Sequence, residues 1–172
     1  ITAKDKSDLK KSLSYEYDYI AVSFVKDEKD ILAIKNIIKN KDIKVIAKIE
    51  RNEALKNIDK ITKASDGLLV ARGDLGVEIG IEQLPAAQRF LIRKAISFDK
   101  LAIVATQMME SMITNRVPTR AEVFDVANAV TSGVDAIMFS AETAIGKYPS
   151  EVISEASRIC AESEGAYIRP LS

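Results

Sequence analysis

Histidine is missing from all 172 residues, and so is tryptophan. Without an imidazole the chain cannot build a Ser-His-Asp triad, a His-ligated zinc site or a phosphohistidine intermediate from its own residues. Proton or phosphoryl chemistry would have to run on Lys, Asp, Glu, Ser, Thr, Tyr or a metal ion. Cysteine is nearly missing too. Cys160 stands alone, which excludes an internal disulfide and a thiolate cluster and points to a reducing compartment, the cytoplasm. Charge of one sign is not in excess: Lys plus Arg and Asp plus Glu both number 25. A nucleic-acid surface needs a basic excess, so no nucleic-acid partner is expected. No apolar run approaches the ~18 residues of a membrane span, and the opening residues do not read as a basic-then-apolar leader. What remains is typical of one folded domain, with 47% apolar and 29% charged residues and no linker or low-complexity tract.

The text alternates between short β-branched runs and longer stretches with helical spacing. Five runs read as buried strands: Tyr19 to Val25, Val45 to Ile49, Gly67 to Ala71, Leu101 to Ala105 and Ala136 to Phe139. Each is apolar at successive positions, as parallel strands covered on both faces would be. Between them, Asp27 is expected to cap a helix bearing Ile31, Ile34, Ile37 and Ile38, and Asn52 to cap one bearing Leu55, Ile58 and Ile61. Pro85 falls early in a helix running to about Phe98. Thr119 and Glu122 have capping-box spacing, Gly133 closes that helix, and Pro149 opens the last. Five β-α units predict an α/β protein with a parallel sheet: either an open doubly wound sheet or part of a (β/α)8 barrel. A complete barrel takes about 250 residues, so five units make roughly two thirds of one. A chain that opens at Ile1, enters a helix almost at once and stops shortly after another reads as a segment of a longer protein.

The strand ends carry the chemistry. In a parallel sheet all C-terminal strand ends lie on one edge, where barrels place their active sites. The runs end at Ser23, at Lys48-Ile49-Glu50, at Arg72-Gly73-Asp74, at Thr106-Gln107 and at Ser140-Ala141-Glu142. Lys48 and Glu50 are two apart in a strand and so share a face, either as a solvent-exposed ion pair or as paired groups in a pocket. Arg72-Gly73-Asp74-Leu75-Gly76 suggests a tight turn or short helix N-terminus whose amides bind an anionic oxygen, or an ordinary turn capped by Asp74. Glu50 and Asp74 form a hard-oxygen pair suited to Mg²⁺ or Mn²⁺ and poorly suited to zinc. Thr106 reads as a cap, or as a hydroxyl that binds a substrate carboxylate or relays a proton. Met108, Met109 and Met112 read as core.

Taken together, these strings resemble pyruvate kinase. The matching text is Lys48-Ile49-Glu50, Ser65-Asp66-Gly67, Val70 to Gly76, Ala105 to Met108, Glu110-Ser111-Met112, Pro118 to Glu122, Asp125 to Val130 and Ser140 to Ala144, in the family's order over essentially the whole chain. The resemblance implies that residues 1–172 are the C-terminal part of the catalytic (β/α)8 barrel domain, strands four to eight, a partial TIM barrel without the lid domain and the C-terminal domain. It implies Mg-dependent phosphoryl transfer from phosphoenolpyruvate to ADP, giving pyruvate and ATP, by a homotetrameric, cytoplasmic parent. K⁺ is implied as a further cofactor with ligands mostly outside this segment, and the fragment alone is expected to be inactive.

Carried over by residue, Lys48 resembles the lysine that neutralises the phosphoryl group and the enolate oxygen. Glu50 and Asp74 resemble the metal ligands, and Gly73, Asp74 and Thr106 the groups that hold the substrate carboxylate. Ser140, Glu142 and Thr106 are candidates for the proton path. These residue types suit phosphoryl transfer, where catalysis is positioning and charge neutralisation. Two positions depart from the family pattern. Ala141 replaces a glycine, which would cost about a kcal/mol if the position needs φ > 0, and Gly80 replaces a common proline, which would loosen a turn. A Mg-dependent pyruvate lyase or aldolase barrel would share the lysine and the carboxylates, but not the Thr106-Gln107 string or the match from Pro118 to Val130.

Overall fold

The computed structural model describes residues 2–39 and 42–168. The chain divides into two compact units, residues 1–101 and 102–172. The first carries α1 (Ala3–Ser12), β1 (Tyr19–Val22), α2 (Glu28–Ile38), β2 (Lys44–Ile49), α3 (Asn52–Lys56), α4 (Ile58–Ala64), β3 (Gly67–Ala71), α5 (Arg72–Ile79) and α6 (Leu84–Ser97). The chain passes to the second unit at the start of β4 (Leu101–Ala105). A 3-10 turn (Glu110–Ile113), α7 (Arg120–Thr131), β5 (Ala136–Met138), α8 (Ala141–Ala144) and α9 (Pro149–Ile168) follow.

In the first unit β1, β2 and β3 are parallel neighbours, with Tyr19 opposite Lys44 and Ile46 opposite Gly67. In the second, β4 and β5 are parallel, with Ile103 opposite Ala136. The expectation of strands covered on both faces holds best for β3, buried at every position, and for β2, where Val45, Ile46, Ala47 and Ile49 are buried. It fails at β1 and β5, whose residues alternate between exposed and half-buried. Both are shorter than their apolar runs. β1 stops at Val22 because Phe24 turns the chain with a left-handed φ of 55°. β5 stops at Met138, one residue before the end of its run.

Most caps follow the sequence. The Asp27 carboxylate accepts from Lys29 N at 2.9 Å, and Ile31, Ile34 and Ile38 fill the buried stripe of α2. Thr119 and Glu122 form a reciprocal capping box, and Gly133 ends the following turn at φ 94°. Asn52 does not cap its helix: Arg51 takes that position, and the expected single helix is two. The break falls at Asn57, whose side-chain amide donates instead to Lys26 O at 3.0 Å. Gly80 does not loosen a turn either. It ends α5 at φ 90°, and a Cβ there would stand 2.5 Å from a Glu82 carboxylate oxygen. Proline, fixed near φ −65°, could not adopt this backbone.

Aspartates set the strand register. Asp66, just before β3, donates its N–H to Val45 O and accepts Val45 N on its carboxylate, both at 2.8 Å. Asp135, just before β5, repeats the exchange with Ala102, at 2.9 and 2.8 Å. Partial burial opposes the charge on Asp66, but the Val45 amide and the Lys35 ammonium 2.9 Å away hold its carboxyl below the usual range. Glu122 is similar. Partial burial opposes its charge, and hydrogen bonds from Ser111 N and Oγ (2.7 and 2.6 Å) and Thr119 N and Oγ1 (2.8 Å each) hold it below the usual range.

Both carboxyls ionise more readily folded than unfolded. Their stabilisation is therefore complete above the unfolded values, about 3.9 for Asp and 4.3 for Glu, and is lost as pH falls through the lower folded values. An Asp66→Asn/Glu122→Gln variant of the full-length protein is expected to melt earlier than the wild type at pH 7, with the gap closing below about pH 4. Thermal melts across pH 3–7 measure it, and a gap independent of pH would contradict the assignment.

Candidate active site

The site begins at the end of β2. Strand geometry sends the side chains of Lys48 and Glu50 to one face, and Lys48 Nζ lies 2.7 Å from Glu50 Oε1. Glu50 is 1% exposed, which excludes a solvent-exposed strand-end pair. Its other oxygen, Oε2, accepts from Phe24 N at 2.5 Å, and Lys48 Nζ also contacts Ser23 Oγ at 3.1 Å. The turn after β1 thus fixes the orientation of both charges. A buried ion pair contributes little net stability once desolvation is counted. The pair stands at the carboxyl edge of a parallel sheet, the edge where barrels place their active sites.

The neighbouring strand end is β3. Its register with β2 sets Val70 opposite Ile49, so Glu50 stands level with Ala71, on the edge where α5 starts. Arg72, Gly73 and Asp74 form the first turn of α5. Of the readings open in the sequence, a helix N-terminus is the one observed, and Ala71 occupies the N-cap position without a side-chain capping bond. The first-turn amides and the helix dipole favour an anion at this end. Asp74 is exposed and Arg72 is buried.

Lys48, Glu50 and Asp74 therefore lie on one edge of one unit. The donor chemistry fits a hard dication: a buried, oriented carboxylate, which keeps lone pairs beyond its two existing contacts, and an exposed one on the adjoining strand end. Among the described residues no three His, Cys, Asp or Glu side chains come together as a protein-only metal cage. Two carboxylates completed by water and substrate oxygens is the pattern Mg²⁺ favours. A cleft of about 770 Å³ against α1, α2 and β1 contains none of these three residues.

The second unit holds the remaining candidates. Thr106 and Gln107, after β4, are consecutive left-handed residues at φ 72° and 53°, a conformation costing roughly 1–2 kcal/mol per non-glycine residue. Thr106 caps no helix; its Oγ1 donates to Ala105 O at 2.6 Å. Met108, Met109 and Met112 are fully buried, as expected of core. Glu142 is 2% exposed. Its Oε1 accepts from Met108 N at 3.2 Å and Met109 N at 3.4 Å, and its Oε2 from Ser140 N at 2.8 Å. Ala141 opens α8 and is not a positive-φ position, so its methyl group carries no backbone cost.

Sequence reasoning did not find the amides of Phe24, Met108 and Met109 as supports of the two buried glutamates, because a backbone N–H has no residue-type signature. It also missed the aspartates at the strand starts, for which the repeated Asp before an apolar run (Asp18, Asp66, Asp135) was an available signal.

Residues 1–153 match the family model described as pyruvate kinase, barrel domain. The chain is 53% identical over 169 residues to the pyruvate kinase of Buchnera aphidicola subsp. Baizongia pistaciae, covering 95% of this chain and 35% of that protein. It is 49% identical to pyruvate kinase II of Salmonella typhimurium, with the same coverage. To the pyruvate kinase of Chlamydia muridarum it is 45% identical over 170 residues, covering 97% of this chain and 35% of that protein. The chain thus spans about a third of the length of the curated relatives it matches. The barrel-domain match and the parallel α/β strands fit part of an α/β barrel.

Proposed function

The chain belongs to the pyruvate kinase family, and from that premise we propose that it forms strands four to eight of the catalytic (β/α)8 barrel in a longer protein. That protein transfers phosphate from phosphoenolpyruvate to ADP. The phosphorus–oxygen bond to the enol oxygen breaks, a bond to a β-phosphate oxygen of ADP forms, and the enolate left behind takes a proton at carbon to give pyruvate. The observation that carries this reading is the Lys48–Glu50 pair, whose carboxylate is buried and aimed by the Phe24 amide and which shares its strand edge with Asp74.

In this reading Lys48 neutralises the charge spread over the phosphoryl group and then over the enolate oxygen, which a compact ammonium does better than a planar guanidinium. Glu50 and Asp74 would hold Mg²⁺ or Mn²⁺, which supplies positive charge toward the phosphoryl and carboxylate oxygens. The amides of Gly73 and Asp74, at the start of α5, bind the substrate carboxylate. Thr106 is assigned to the same carboxylate and, with Ser140, to the hydroxyl route by which a proton reaches the enolate in a chain without histidine. The lid, the C-terminal domain and most K⁺ ligands belong to the rest of the parent, a homotetramer in which the helices near Pro118 to Arg120 lie at a subunit contact, so residues 1–172 by themselves are expected not to turn over substrate. A cytoplasmic location suits the single cysteine. Among the described residues no helix is long and apolar enough to cross a membrane.

The test is a two-product assay of the full-length protein. Pyruvate and ATP should appear together, in equal amounts, and only with ADP and a divalent cation. Cleavage or aldol products formed without ADP would replace this reading with the lyase or aldolase.

A further inference from the structure

We infer that Glu142 is a positioning residue for Thr106, holding the left-handed turn after β4 through the amides of Met108 and Met109. This rests on the assignment of Thr106 to the substrate made above. Glu142 lies 34 residues beyond Met108, is almost fully buried, and has both carboxylate oxygens engaged by backbone N–H donors. One oxygen takes the two amides that follow Gln107, and the other takes Ser140 N at the head of α8. The carboxylate thereby ties the exit of β4 to the exit of β5.

The same device occurs once more among the described residues. Phe24 is also a non-glycine residue at positive φ just after a strand, and its N–H is taken by Glu50, a buried glutamate just past the next strand. In each case the turn at the end of one strand adopts a backbone conformation that its own residues disfavour. In each case a carboxylate from the end of the following strand collects the N–H groups which that conformation presents. Three of the four described non-glycine residues at positive φ, Phe24, Thr106 and Gln107, lie in these two turns. Strain at both bracketed turns marks them as places where geometry is being held for use.

Glu142→Ala, Glu142→Gln and Thr106→Ala variants of the full-length protein, with the Thr106→Ala/Glu142→Ala double variant, test the inference. Losing the bracket should raise deuterium uptake in a peptide spanning residues 104–112. It should also raise KM for phosphoenolpyruvate by about tenfold, the effect of one lost charge-assisted hydrogen bond, while the pH profile of kcat keeps its shape. Glu142→Gln, which retains an acceptor oxygen, should recover part of both effects, and it covers the case in which the alanine variant does not fold. The double variant should be no worse in KM than Thr106→Ala alone.

Unchanged uptake in residues 104–112 in both Glu142 variants would overturn the bracket. Loss of one limb of the pH profile, equal in the alanine and glutamine variants, would instead make Glu142 a proton carrier. Should Thr106→Ala leave phosphoenolpyruvate kinetics untouched while Glu142→Ala still loosens 104–112, the assignment of Thr106 fails and the bracket survives only as a structural tie.

Discussion

Replacing Lys48 by methionine is expected to lower kcat of the full-length protein by about 10²–10³-fold, the usual cost of removing one preorganised group that meets charge developing in the transition state. Methionine keeps the apolar stem but leaves Glu50, 1% exposed, without its ammonium 2.7 Å away. Removing one member of a buried pair is destabilising, so lost activity alone would not separate catalysis from folding. Lys48→Arg makes that separation. A guanidinium can still pair with Glu50 and should leave the melting temperature near that of the wild type. Its planar charge is poorly shaped to follow the phosphoryl group and then the enolate oxygen, so kcat should still fall steeply. Steady-state kinetics and thermal melts of both variants give the answer. An arginine variant with wild-type kcat would mean that Lys48 serves only as a counter-ion for Glu50.

The second large effect is at Glu50. Glu50→Gln removes the charge that faces Lys48 and offers one acceptor oxygen where Phe24 N and Lys48 Nζ now have two. Breaking a buried pair from one side costs about 3–5 kcal/mol. That cost falls on folding; in the binding of a dication, loss of a charged ligand should lower affinity by at least the about 10–100-fold that loss of an outer-shell partner does. Water-proton relaxation during a Mn²⁺ titration of the full-length protein should show it, together with a fall in kcat. Mn²⁺ affinity unchanged by Glu50→Gln would remove Glu50 from the metal site and leave it as a support for the Phe24 turn.

The sequence showed most of the architecture because β2 and β3 are apolar on both faces. β3 and β4 coincide with their predicted runs and β2 is one residue longer, whereas β1 and β5 are shorter than theirs. Where a strand stops depends on the turn that follows it. For β1 that is the left-handed turn at Phe24, a residue type that does not advertise positive φ. The candidate site was legible for a topological reason: parallel strands end on one edge, so Lys48, Glu50 and Asp74 share that edge whatever their separation in sequence.

The supports of those residues were not legible. Glu50 reaches back 26 residues to Phe24 N, and Glu142 reaches back 34 to Met108 N. A hydrogen bond to a main-chain amide leaves no trace in the identity of the donor residue. Asn52 misled for a related reason. It is a good capping type placed one residue too late, while Asn57, an unremarkable helix position by pattern, breaks the helix through its contact with Lys26 O.

The most direct measurement is anomalous diffraction from crystals of the full-length protein grown with Mn²⁺. The account predicts an anomalous peak liganded by carboxylate oxygens of both Glu50 and Asp74, with the Lys48 ammonium facing the same opening, and its disappearance in Asp74→Asn crystals. A peak at other residues, or one held by Glu50 while Asp74 points elsewhere, would contradict it.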